Sequence, residues 1–195
     1  MKPSNIALAL LALLISGALA CTGDRPTSPL GSRPAPGALS FGAVDEDESA
    51  SYTWIVGHDF TEASNGDQLE LRGTGPLTIH PKSASGGGTF THRNASGTVL
   101  GSGAWTVTEL LSFQSYGPPS PGFPVPNASA GRAQFRVEFR PAGTTLTLKG
   151  IMDVECVLPG SAAPGGTVEG VRVVVPGVAN FNKPVSGGTL FIRTS

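Results

Sequence analysis

Apolar and polar residues alternate along most of the chain after residue 50, and the alternation has a period of two. The run AQFRVEFR is the clearest instance. Ala133, Phe135, Val137 and Phe139 point one way, and Gln134, Arg136, Glu138 and Arg140 the other. Such a pattern predicts a strand with one face on a core and one in water. TLTLKGIMDVECVL repeats it, placing Leu146, Leu148, Met152, Val154, Cys156 and Leu158 on the inner phase. Further strands are predicted over 51–58, 68–72, 76–80, 88–93, 98–116, 167–175 and 189–193. The segments between them are rich in Gly, Asn, Asp and Pro, as in SNGD, RNASG and RPAGT, which are turn-forming sequences. No window beyond the first 20 residues carries a helical period.

About nine short strands joined as successive hairpins predict an all-β, single-domain antiparallel meander over 51–195. A meander has to hide its edges. A β-barrel is the favoured closure and a two-sheet β-sandwich the alternative. The long run 98–116 holds Gly101 and Gly103 and reads as one strand bent at its glycines.

The first 50 residues are different. Lys2 precedes an apolar run from Ile6 to Ala20 that is too short for a permanent membrane span. Ala18-Leu19-Ala20 then forms a small-residue cleavage site directly before Cys21. These residues read as an export signal over 1–20. Residues 21–50 contain RPTSPLGSRPAPGALS and the acidic run Asp45–Glu48, with too few apolar groups to build a core. They read as a tether, which as a flexible chain would hold the domain about 30 Å from its attachment point.

Ala18-Leu19-Ala20-Cys21 behind that apolar run resembles the lipobox of bacterial lipoproteins. Ala18 stands where that family most often has Leu. The resemblance covers residues 1–21 alone. It implies a diacylglycerol thioether on Cys21, cleavage before it and membrane attachment through its lipid. Two or three acyl chains on one residue anchor stably where one would not. Thr22 follows Cys21, where enteric lipoproteins kept at the inner membrane carry Asp; in a host with two membranes this implies the outer one. An ordinary signal peptidase would cut the same Ala20–Cys21 bond, leaving Cys21 unmodified or paired with Cys156. The core-facing phase of Cys156 argues against that pairing.

Composition excludes some classes. The chain has 195 residues and a formal net charge of −1, without the basic stripe of a nucleic-acid-binding protein. Its 27 glycines and 17 prolines punctuate apolar runs instead of filling one tract. The three histidines, His58, His80 and His92, lack metal-ligand spacing, so neither a metal nor another cofactor is expected. No nucleophilic elbow, phosphate-binding loop or Cys-x-x-Cys is present, and the reading is non-enzymatic.

Two functions remain. If the interior is hollow, Tyr52, Trp54, Trp105 and Phe113 line a pocket for a small apolar molecule, with His58 or Glu109 as polar contacts. His58 shares the phase of Tyr52, Trp54, Val56 and Phe60. Glu109 shares that of Trp105, Val107, Leu111 and Phe113, unless a bulge near Leu110-Leu111 turns it outward. If the same side chains fill the interior, the protein is a structural or partner-binding envelope lipoprotein. The proline-rich loop Gly117–Asn127 would then be part of the surface it presents.

Overall fold

The computed structural model describes residues 49–195, and the signal, the lipobox with Cys21 and nearly all of the tether lie outside them. Strand β1 (Ser51–Ala63) begins with the expected alternation, burying Tyr52, Trp54 and Val56. At Gly57-His58 its register against the next strand shifts. The extra residue reverses the phase, so that Asp59, Thr61 and Ala63 point inward.

The stretches 68–72 and 76–80 are one strand, β2 (Gln68–Thr78), continuous through Gly73 and Gly75. These glycines form the floor under two tryptophan rings. A Cβ at Gly73 would collide with the Trp105 ring, and one at Gly75 would come within 2.9 Å of the Trp54 ring. The bare backbone admits the indoles, which is why a break in the apolar pattern is no break in the strand.

The short β3 (Ser83–Ala84) returns along β2 and leads into β4 (Gly87–Arg93) and the long β5 (Val99–Gly117). β5 carries register shifts after Val107, Leu110 and Ser115, and one more between Val99 and Gly101, beside the first of its two glycines. β6 (Ala128–Pro141) and β7 (Leu148–Cys156) correspond to the two alternating runs read from the sequence, joined by a turn with Gly143 at φ +73°. Leu146, expected on the inner phase, lies exposed in that connection, and Glu155 is buried beside Cys156. β8 (Gly170–Val175), β9 (Ala179–Ser186) and β10 (Thr189–Arg193) complete the chain.

All ten strands belong to one antiparallel sheet, not to two, and the described residues contain no helix. Pairing runs β1–β2–β4–β5–β6–β7–β8–β9 and returns from β9 to β1. β10 continues from β9 along β1 but takes β6 as its other neighbour. The sheet is therefore partly ringed. Eight strands go round in the half near the 64–67 and 142–147 loops; where residues 51 and 195 meet, the pairing order is β3–β2–β1–β10–β6–β5, with no β3–β5 pairing to close it. The return pairing removes the free edges of β1 and β9, while the two-residue β3 keeps one edge unpaired in the sheet.

Large aromatic side chains pack the middle of the interior. Trp54, Trp105, Phe135, Phe181 and Phe191 are at most 2% exposed. Trp54 lies 5.6 Å from Trp105 and 5.4 Å from Phe135, ring centroid to centroid. Both indole N–H groups are satisfied, Trp54 by the Ser85 carbonyl at 3.2 Å and Trp105 by those of Arg72 and Thr89. Ala50 is buried too, and its carbonyl accepts from Ile79, so the folded unit already includes it.

Candidate functional site

The pocket residues expected from the sequence do not assemble into one site. Trp54 and Trp105 meet in the core and leave no space between them for a guest. Phe113 is half-buried, its ring packed between Tyr52 at 4.8 Å and Phe191 at 5.1 Å.

His58 is corrected. The β1 bulge puts it on the outer face, where Nε2 lies 2.7 Å from Glu70 Oε1 and the ring packs on Phe60. Glu109 also points outward, because the register shift between Val107 and Glu109 gives the inward position to Leu110. Its carboxylate accepts from Arg136 Nε at 2.9 Å, and both side chains are about half exposed. His92 lies 3.2 Å from Asp67 and edge-on to Phe181, and His80 is exposed. Among the described residues no three His, Cys, Asp or Glu side chains converge as metal ligands. Cys21 falls outside the described residues; Cys156 is a free, buried thiol, pushed up to about 12 first by burial and next by Glu169.

Space is found elsewhere. A hollow of about 400 Å³ opens where the first and last described strands meet, lined by Tyr52, Ser115, Asn127, Ser129 and Arg193 among others. The proline-rich loop rims it at Gly117 and Pro118. That loop is tied down, its Phe123 and Val125 packed on the core and its Ser120 amide donating to the Pro159 carbonyl at 2.7 Å. At the opposite end, an apolar crevice of about 50 Å³ lies among Leu69, Phe90, Phe139, Leu148, Val178 and Phe181.

The polar feature that the sequence reading missed is Asp59. It is fully buried, and neither carboxylate oxygen has a hydrogen-bond partner. Burial pushes its pKa up to about 6. The Gly188 and Gly57 amides and His58 pull the other way, while Glu169 adds to the rise. Glu169 is itself raised by burial, although the Thr189 and Val157 amides hold its carboxylate. Nearby, Thr189 Oγ1 donates to the Glu155 carbonyl at 2.6 Å, and the Glu155 carboxylate accepts from Tyr116 OH at 2.7 Å. The Tyr116 hydroxyl is pushed up to about 12, by burial first and by Glu155 second. Alternation through an unbroken β1 places Asp59 in solvent; Gly57 inside the strand was the one sign of a bulge.

No protein-family model matches the chain, and no curated protein or solved structure is significantly similar to it.

Proposed function

We propose that the chain is an exported envelope lipoprotein, anchored through Cys21, whose folded domain binds a protein partner and carries out no catalysis. The observation that carries the reading is the filled interior. Trp54, Trp105 and Phe135 occupy the volume a carrier would keep for its ligand. The crevice of about 50 Å³ near Phe90 and Phe139 is far below the several hundred Å³ of ordinary ligand sites.

The distribution of exposed apolar residues supports a protein partner. Val99, Leu100, Leu146 and Val178 are each about half exposed. All four belong to hairpin connections at the eight-stranded end: β4–β5, β6–β7 and β8–β9. Residue 51 starts β1 at the other end.

Site-specific photo-crosslinking in the native host tests the reading. A crosslinker in place of Leu100, Leu146 or Val178 should give one discrete protein adduct, and one in place of Val185 on β9 should not. Absence of adducts from all three tips would sink the proposal. The hollow of about 400 Å³ beside Tyr52 and Arg193 favours the alternative, a small-molecule carrier. That alternative needs a bound compound that leaves on denaturation.

A further inference from the structure

β9 and β10 together form one long antiparallel partner of β1, interrupted at Gly187-Gly188. The interruption faces the bulge of β1, and the Gly57 amide donates to the Gly188 carbonyl at 3.0 Å across the gap. Here the neighbour on the far side changes from β8 to β6. The Asp59 side chain is sealed into this junction. A Cβ at Gly187, whose φ is +136°, would stand 2.5 Å from the Asp59 Cγ, and one at Gly170 would stand 3.9 Å from Oδ1.

We propose that protonation of Asp59 latches β1 to the β9–β10 junction, so that the domain is tighter in acid than at neutral pH. The carboxylate is buried. The Gly57 and Gly188 amides lie near it without reaching hydrogen-bond geometry, the Gly57 N–H being given to the Gly188 carbonyl. A buried charge so poorly partnered is strongly disfavoured. A proton removes the charge from the sealed junction. Of the surroundings, the Gly188 and Gly57 amides and His58 favour the carboxylate, and burial outweighs them. The β9–β10 junction contributes the uncharged Gly187, Gly188 and Thr189. The segment before β8 brings Glu169, a like charge. On β7, Glu155 is engaged with Tyr116, and Cys156 is an un-ionised thiol at neutral pH. β2 places Leu71 opposite Asp59, while Glu70 turns away to pair with His58 on the outer face. His58 is the cationic candidate near Asp59, and its influence ranks last among those on the carboxyl.

The direction follows from the raised pKa. The folded-state carboxyl titrates at about 6 against a free value of 3.8. Its stabilising contribution is complete below the free value and is lost as pH rises through the folded one. A rise of about two units corresponds to about a hundredfold in the folding equilibrium.

The test is denaturant unfolding of the full-length wild-type chain and of Asp59→Asn from about pH 4 to about pH 7. The ratio of their folding constants should fall by about a hundredfold in favour of the variant as pH rises. A ratio that stays constant overturns the proposal. Titration of the Asp59 ¹³Cγ resonance in the wild-type protein gives a second reading that does not depend on the variant folding. Its midpoint should lie near 6 and drop in Glu169→Gln; a midpoint near the free value overturns the latch. Calcium or magnesium that stabilises the wild type but not Asp59→Asn would also overturn it, since the missing partner of the carboxylate would then be a metal ion.

Discussion

Trp54 is held by what surrounds it: the Trp105 and Phe135 rings, the bare backbone of Gly75 and the carbonyl of Ser85. Truncating it should leave a large cavity, and Trp54→Ala is expected to lose about 3–5 kcal/mol in denaturant unfolding. A loss under about 1 kcal/mol would mean the indole borders an open space. Glu109→Gln removes one half of an exposed ion pair with Arg136 and should change stability by less than about 1 kcal/mol. Cys156 is buried, and its thiol stays protonated to about 12. It should resist alkylation in the native protein and react fully after denaturation; labelling at equal rates would contradict its placement. At this scale the inward phase of Trp54, Trp105 and Cys156 was legible in the sequence, because apolar and polar residues alternate locally around each. His58 and Asp59 were not. They follow Gly57, and a bulge of one residue exchanges inner and outer faces without changing composition.

Among the elements, β6 and β7 were legible because alternation and the Pro141–Gly143 turn agree with each other. β2 was read as two pieces because Gly73 and Gly75 have no side chain to continue the pattern. The cause is tertiary: a tryptophan ring from another strand covers each glycine. Gly73→Ala should therefore be destabilising although alanine suits a strand no worse than glycine. Overpacking against Trp105 and the Gly87 carbonyl is expected to cost about 1–3 kcal/mol in an unfolding experiment. Tolerance of the substitution would show that β2 and β5 are spaced more widely than described. β9 escaped notice because ANFNKPVS buries little beyond Phe181 and carries Pro184, which lacks a donor. It becomes a strand through its two neighbours. The register shifts of β1 at Phe60-Thr61 and Glu62-Ala63 lie on either side of the Pro184 pairing.

For the whole molecule, strand content and antiparallel order were readable from period and turn spacing, but the partial ringing of the sheet was not. Closure depends on β9 and β10 sharing β1 while dividing β8 and β6 between them, a long-range pairing with no local signature. The proposed anchor makes a prediction at this scale. Cys21→Ala expressed in the host should move the protein from the detergent phase to the aqueous phase in phase-separation extraction. Unchanged partitioning would contradict lipid attachment at Cys21. The central claim is that the domain acts through its surface because its interior is full. Native mass spectrometry of the wild-type protein, purified from its own envelope in mild detergent, tests it most directly. The account predicts one mass, that of the chain with its covalent lipid, unchanged when the protein is denatured. A bound small molecule released on denaturation would contradict the account, and its mass would give the first identification of a cargo.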